Sequence, residues 1–317
     1  MNLLFIADIH IKLGQKNVPI PWALNRYKLF NDEISKLQES VDLVILGGDI
    51  FDRVPTIEEL EVYFNFIKIF TKETIIIPGN HEALKKNTTF LSNLKKVTNL
   101  VNSNVYIIDN FDTRHNIDFI PYNRLKEYHP ADVDFHSRIL VTHVRGEIPP
   151  HVKPEVPLSL FERWDVVLAG DLHSYENSQL NILYPGSPMS TSFHRNPISN
   201  GVIILDTDTL GHRFIDLKLP QLIRKTIKAG DSMEATEYDH TIYEVEGDLS
   251  ELQDIENHTL LDKKVAKKAS DVALMLESDM TLGQELKEYL LYIMLLNENT
   301  IDDIMEVFYS LENKISD

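Results

Sequence analysis

Short runs of apolar, often β-branched residues recur along the first half of the chain, and each stops against polar or turn-forming residues. Asn2–Ala7 runs into Asp8-Ile9-His10, and Val41–Leu46 into Gly47-Gly48-Asp49-Ile50-Phe51-Asp52. Thr74–Ile77 runs into Pro78-Gly79-Asn80-His81-Glu82, Arg138–Val141 into Thr142-His143, and Val166–Ala169 into Gly170-Asp171-Leu172-His173. Runs of this length with turn residues behind them predict buried strands. Ala23–Glu39, Ile57–Lys72 and Thr89–Asn99 carry helical patterns between or just after those strands, and the alternation predicts a layered α/β domain. Asp132–Asp206 reads as mostly strands and loops. After Pro220 a strand at Ile242–Glu246, a helix near Leu249–Asn257 and a strand at Val272–Leu276 predict a small α/β unit.

Two further helices are predicted at the end of the chain. Thr281 with Gln284 three residues on has the arrangement of a capping box, and Thr300 with Asp303 is the predicted start of the second. The second helix gathers Ile301, Ile304, Met305, Phe308, Leu311 and Ile315 on one face. The first is expected to bury Leu282, Leu286, Tyr289, Leu290 and Ile293 and to show Leu291, Tyr292, Met294 and Leu295 on the other side. Two helices alone cannot cover both faces, so a partner is expected there. Ile57–Lys72 is also two-sided, with Leu60, Tyr63, Phe64 and Ile67 opposite Val62, Phe66, Ile69 and Phe70. A surface helix has one apolar stripe. Either this helix is sandwiched in the core or its second face meets another copy of the chain.

Asp, Asn and Gly are ordinary strand-ending residues, and any one of the five junctions is unremarkable. Five in succession, all ending in hard oxygen or nitrogen donors, point to one site beyond the strands' carboxyl ends, where α/β proteins collect ligands. Asp8 and His10 lie on the same side of an extended chain and can grip one ion. A single carboxylate at Asp49 can bridge two. Asn80 offers a carbonyl oxygen, and His143 and His173 offer imidazole nitrogens. The chain has no cysteine. Carboxylate, carbonyl and imidazole suit Mn²⁺, Fe²⁺, Mg²⁺ or catalytic Zn²⁺, and argue against structural zinc or an iron–sulfur cluster. Two such ions roughly 3.5–4 Å apart can bind a phosphate, activate water and stabilise a leaving oxygen.

Asp8-x-His10, Gly48-Asp49-x-x-Asp52, Gly79-Asn80-His81-Glu82, the lone His143 and Gly170-x-x-His173 resemble the ordered motifs of the calcineurin-like metallophosphoesterases. The resemblance covers roughly residues 1–215. Gly48-Asp49-Ile50-Phe51-Asp52, and Tyr184-Pro185-Gly186-Ser187-Pro188 followed by Gly201-Val202-Ile203-Ile204, look like the SbcD branch, the nuclease subunit of a DNA-end-processing complex with the SbcC ATPase. The length is similar to that of the phage-encoded versions. The resemblance implies one metal held by Asp8, His10, Asp49 and His173, and another by Asp49, Asn80, His143 and residue 171. It makes His81 the catalytic histidine, with Glu82 and Asp52 orienting the ligands. It further implies Mn²⁺ (Mg²⁺ as the alternative), 3′–5′ exonuclease and single-strand endonuclease activity, a homodimer through helices near residues 57–72, and a C-terminal helical segment that grips the ATPase's coiled coil. The domains implied are 1–218 (nuclease), 219–279 (a capping domain) and 280–317 (ATPase binding).

Position 171 departs from the family's Gly-His-x-His. A carboxylate there is a competent ligand whose added negative charge favours Mn²⁺ or Mg²⁺ over Zn²⁺. It is also shorter than imidazole, and the plainer reading is a loop residue that leaves the second ion weakly held. His115, His129, His136, His151, His212, His240 and His258 read as surface residues. His194, soon after the Gly-Ser-Pro loop, and Tyr122, after Phe119-Ile120-Pro121, are either substrate contacts or loop residues.

Composition changes this picture in one respect. The 317 residues carry a net charge of −18, which is unfavourable for an enzyme that acts on DNA. Residues 1–228 carry 25 basic and 27 acidic groups, a net of −2, whereas residues 229–317 carry 6 and 22, a net of −16. Two divalent ions would offset the acidic groups of the site, so the catalytic part becomes neutral to slightly positive. The C-terminal part repels phosphate, and affinity for DNA is expected to depend on the partner. No apolar run approaches the ~20 residues of a membrane span, and a chain opening directly on a strand without a basic leader reads as cytoplasmic. Two other readings compete with the nuclease. A generic phosphatase or cyclic-nucleotide phosphodiesterase would share the metals but not need the Gly-Ser-Pro loop or C-terminal modules. A metal-free scaffold would draw support from Asp171 alone.

Overall fold

The computed structural model describes residues 1–85, 87–253, 255, 259–266, 280–294 and 296–315. The five strand–ligand junctions do not come from one sheet. Asn2–Ile6, Leu43–Leu46 and Glu73–Ile76 lie in a six-stranded sheet, ordered His212–Asp216, Gly201–Asp206, Asn2–Ile6, Leu43–Leu46, Glu73–Ile76, Val105–Ile107. Ile139–His143 and Val166–Gly170 lie in a five-stranded sheet, ordered Ile182–Leu183, Val166–Gly170, Ile139–His143, Ile117–Ile120, Asp112–Arg114. All five junction strands run parallel to their junction neighbours, Leu3 opposite Leu43, Leu43 opposite Glu73, and Val166 opposite Ile139. Their carboxyl ends therefore leave each sheet on a common edge.

Side chains alternate faces along a strand, and the first strand divides its residues accordingly. Leu3, Phe5 and Ala7 join Ile45, Ile75, Ile139, Val141 and Leu168 in the core between the two sheets. Leu4 and Ile6 face the other way, into a core shared with helices Ile20–Leu37, Ile57–Ile67 and Phe90–Val101. The outer face of the second sheet is covered by Phe135, Phe161, Trp164 and Tyr184. The architecture is thus layered α/β with two sheets at its centre. One buried charge pins the outer layer: Asp118 accepts from Trp164 Nε1 at 2.9 Å, Ser137 Oγ at 2.7 Å and Thr113 Oγ1 at 2.8 Å.

The helix starting at Ile57 is shorter than its apolar pattern. It has a capping box between Thr56 and Glu59 and ends at Ile67. Asn102 Nδ2 takes the carbonyls of Ile67 and Phe70 at 2.7 and 2.8 Å, which turns the chain so that Phe70 drops into the core. Both apolar sides are used inside this chain. Phe66 stacks on Phe30 with ring centroids 5.2 Å apart, and the Tyr63 hydroxyl meets Thr98 Oγ1 at 2.8 Å. The sandwiched-helix reading therefore explains the pattern without a second copy.

The chain forms two compact units. The first comprises Met1–Thr226, Ser232–Glu244 and His258–Asp262; the second comprises Ile227–Asp231, Val245–Asn257 and Lys263–Asp317. The predicted strand at Ile242–Glu246 lies within His240–Gly247, and the helix near Leu249–Asn257 is Leu249–Gln253. Val272–Leu276 lies outside the described residues. In the second unit, helices Leu282–Tyr292 and Glu298–Ile315 pack through Leu290, Ile301 and Met305, with Leu286, Leu291, Ile304 and Phe308 around them. The Thr281–Gln284 capping box is formed. The second helix begins earlier than the sequence implied, because Asn297 Oδ1 accepts from Thr300 N at 3.0 Å and takes the capping role. The facing of the first helix also differs: Leu291 is on the packed side, while Leu282, Tyr289, Tyr292, Ile293 and Met294 are exposed. No helix among the described residues is long and apolar enough to cross a membrane.

Replacing Asp118 with Ala strips one buried donor, Trp164 Nε1, of its acceptor, together with the hydroxyls of Ser137 and Thr113, which water can reach. The buried indole left unpaired costs about 1–3 kcal/mol, so urea unfolding is expected to show a loss of about that size. A loss below about 0.5 kcal/mol would mean that this network does not hold the outer layer.

Candidate metal centre

Beyond the sheet edge the first two strands continue side by side as loops. Asp8 N donates to Gly48 O at 3.1 Å, His10 N to Asp49 O at 2.9 Å, and Ile11 N to Ile50 O at 2.7 Å. This pairing brings Asp8, His10 and Asp49 to one place. All three have left-handed backbone, with φ of 56°, 49° and 51°, and Asp171 has φ 104°. Such conformations cost of order 1–3 kcal/mol each and persist only where the surroundings fix them. Here the fixing contacts are visible. Ser187 Oγ donates to Asp8 O at 2.7 Å. The buried Glu82 carboxylate accepts from the backbone N of Asp49, Phe51 and Gly79 at 3.0, 2.9 and 2.8 Å. Glu82 thus ties two ligand loops together from behind and is itself turned away from the ligand cluster.

Among the described residues three groups of potential ligand atoms lie within 4.8 Å of one another: Asp8, His10 and His173; Asp8, Asp49 and His143; and His10, Asp49 and His81. His10 Nε2 and His173 Nε2 face each other at 3.0 Å. His143 Nδ1 donates to the Gly47 carbonyl at 2.9 Å, which leaves Nε2 pointing at Asn80 Oδ1, 3.1 Å away, with Asp49 Oδ2 at 3.5 Å. An imidazole held through one nitrogen presents the other as a ligand with fixed direction. His81 donates from Nδ1 to the Asp52 carbonyl at 2.6 Å, and its Nε2 lies 3.9 Å from Asp49 Oδ2. Its ring meets His10 edge-on at 4.8 Å and is 39% exposed, so it stands at the open side of the cluster.

The structure brings Asp8, His10, Asp49, Asn80, His81, His143 and His173 together. Asp171 sits at the margin: its Oδ1 is 4.0 Å from His143 Nε2, and both its oxygens are engaged by Arg145, Nε to Oδ2 at 3.0 Å and Nη2 to Oδ1 at 3.3 Å.

The electrostatics fit divalent cations. Burial drives the Asp8 carboxyl well above its ordinary value, opposed by His143 and reinforced by Asp49. Burial by itself would lower His143, yet Asp49 beside it pushes the imidazole up to about 10. Burial lowers His10 to about 3 and also lowers His173, so these two are neutral, with their Nε2 atoms turned toward each other. Burial, then Asp49, raises Glu82 to about 7. Clustered carboxylates short of positive charge, next to neutral imidazoles, are the donor set a hard or borderline divalent cation takes, displacing protons as it binds.

Several contributors were not legible from motifs. Arg145, two residues past His143, signalled itself only as a basic residue in extended register with a ligand. Lys12 Nζ pairs with Asp52 Oδ2 at 2.7 Å. Thr191 Oγ1 lies 3.4 Å from His173 Nδ1. His173, Ser190, Thr191, His194 and the stacked pair Tyr175 and Phe214 (ring centroids 4.8 Å apart) line a cavity of about 540 Å³. His194 therefore stands on a cavity wall beside His173, and the Tyr122 ring meets His143 edge-on at 6.0 Å. His240, expected at the surface, is buried, with Nε2 2.5 Å from the Asn17 carbonyl. His258 lies outside the described residues.

Comparison with known proteins agrees with this geometry. Residues 1–180 match the family model described as calcineurin-like phosphoesterase. The "Probable exonuclease subunit 1" of Escherichia phage T5 is 41% identical over 318 residues, covering 96% of this chain and 97% of that protein. A "Putative phosphoesterase" of Invertebrate iridescent virus 6 is 27% identical over 223 residues, covering 64% of this chain and 75% of that one. Another, of Invertebrate iridescent virus 3, is 27% identical over 262 residues, covering 73% and 70%.

Gly79 supplies the test of how tightly the cluster is built. A Cβ there would stand 2.2 Å from Asp49 Oδ1 and 2.7 Å from His143 Cε1. Overpacking of this kind costs about 1–3 kcal/mol, and here it falls on two candidate ligands. Gly79→Ala is expected to weaken Mn²⁺ binding at least about tenfold by titration calorimetry, with far-UV circular dichroism unchanged. Wild-type affinity in that variant would refute the close packing of Asp49 and His143.

Proposed function

This chain belongs to the calcineurin-like phosphoesterase family, and on that footing we propose that it is a Mn²⁺-dependent DNA nuclease of the SbcD type. It acts as an exonuclease and single-strand endonuclease beside an SbcC-like ATPase, processing DNA ends in the cytoplasm during recombination, repair or phage replication. The observation that carries the reading is the extent of the phage T5 likeness, which runs through the ligand loops and on to cover 96% of the chain. A likeness confined to the metal centre would fit any phosphoesterase. The proposed organisation is a nuclease domain at 1–218, a capping domain at 219–279 and an ATPase-binding helical segment at 280–317.

Asp8, His10, Asp49 and His173 would hold one ion, and Asp49, Asn80 and His143, with Asp171 beside them, the other. Bound there, divalent ions would lower the pKa of water and offset charge on a phosphodiester. The chain's own residues supply the rest. Asp52, through its carbonyl, fixes His81 with Nε2 outward; a protonated Nε2 can then give its proton to the departing 3′ oxygen. Glu82 keeps Asp49 and Gly79 in register while substrate binds. The cavity beside His173 is of the size that takes small ligands, ~300–1,000 Å³, and its aromatic pair and hydroxyls suit a nucleotide. Ile20, Leu24, Val54 and Ile57, all exposed, border or lie near a groove between helices Ile20–Leu37 and Ile57–Ile67 and are the proposed contact for a second copy.

His81→Asn is expected to keep the Mn²⁺ affinity and lose ~10²–10⁴-fold in oligonucleotide cleavage. Turnover within threefold of wild type, or loss of the metal, would reassign His81. Leu282→Asp with Tyr292→Asp places charge on the exposed face of the first C-terminal helix. Co-purification with the co-expressed ATPase is expected to disappear while cleavage of single strands continues, and a variant that still co-purifies would place the ATPase contact elsewhere.

A further inference from the structure

Asp171 brings a carboxylate to a centre that already holds Asp8 and Asp49, and it is nearly buried, its side chain 6% exposed. Its backbone N donates to both oxygens of Asp8 at 3.0 and 3.1 Å, which fixes where its side chain starts. Arg145 meets that side chain with two donors, Nε on Oδ2 and Nη2 on Oδ1. This fork geometry gives direction as well as charge. Arg145 is itself held from behind, its backbone N donating to Glu155 Oε2 at 3.0 Å. The nearer bond takes Oδ2, while Oδ1 is the oxygen facing His143 Nε2 across 4.0 Å.

We propose that Arg145 and Asp171 act as one neutral oxygen donor at the ion position shared with His143 and Asn80. Asp171 supplies a hard ligand atom through Oδ1, and Arg145 cancels the charge that comes with it. Arg145 is a positioning residue: it acts on the ion through Asp171 and sets how tightly that position binds. Left uncompensated, the third carboxylate would bind a divalent ion too tightly to match its neighbour. Left without its carboxylate, Arg145 would repel the ion outright. The preference for Mn²⁺ or Mg²⁺ at this position then comes from oxygen as a hard donor, not from added charge.

The inference rests on the divalent centre proposed above and is tested by metal binding alone. Free Mn²⁺ is counted by electron paramagnetic resonance against full-length protein, without substrate, for the wild type and four variants. Arg145→Gln leaves an extra negative charge and is expected to bind the second Mn²⁺ about tenfold more tightly than wild type. Asp171→Asn keeps an oxygen donor, leaves the guanidinium unpaired and is expected to bind it about tenfold more weakly. The double variant is neutral again and is expected within about threefold of wild type. Arg145→Lys, which keeps the charge, is expected to stay near wild type, and thermal melts check that all variants are folded. An Arg145→Gln protein that binds no more tightly than wild type, or a double variant no better than Asp171→Asn, would overturn the inference. Absence of any Mn²⁺ binding by the wild-type chain would instead overturn the reading of the centre itself.

Discussion

Asp8 and Asp49 end neighbouring parallel strands, are buried to 0% and 1% exposure, and bring their oxygens within 4.8 Å of each other and of His143. Two carboxylates removed from water at that separation are stable only with positive charge supplied to them. The neighbourhood is arranged around that need. His143 is driven toward protonation, His10 and His173 present neutral nitrogens, and Asp8 resists ionisation. The backbone pays for the arrangement with left-handed residues at three ligands, held by Glu82 and Ser187. A divalent cation resolves the imbalance at once, and the centre makes physical sense only with cations in it.

The candidate donors were legible because hard donors follow strands, and strands declare themselves by apolar runs. Asp8, His10, Asp49, Asn80, His143 and His173 all come from such junctions, and the structure converges them. Their distribution over two sheets was not legible, since a run such as Ile139–Val141 does not say which strands it will pair with. The position of Arg145 was hidden for a similar reason: its role depends on Asp171, 26 residues away and joined to it only by the pairing of Ile139–His143 with Val166–Gly170. The helix Ile57–Ile67 was legible as two-sided but not in what covers each side. Its two apolar faces are real, but they meet Phe30 on one side and Thr98 on the other. The C-terminal helices were found by their capping box, whereas which side of the first helix packs was set by contacts with Ile301 and Met305 that periodicity alone does not rank.

Charge is partitioned unevenly along the chain. The ligand-bearing part is close to neutral once its centre is filled, and the acidic groups concentrate after residue 228. An acidic segment contributes nothing to holding a polyanion, so its exposed Leu282, Tyr289, Tyr292 and Met294 fit a protein partner better than DNA. The proposed function would place chemistry and recruitment on different stretches of one sequence.

On the proposed reading this chain assembles a two-ion centre whose ions share Asp49. Low-temperature electron paramagnetic resonance of the wild-type protein loaded with Mn²⁺ tests it most directly. The expected result is a spin-coupled Mn²⁺ pair, with two ions bound per chain by elemental analysis. Uncoupled single-ion spectra at saturating Mn²⁺, or a stoichiometry that stops at one, would contradict the account.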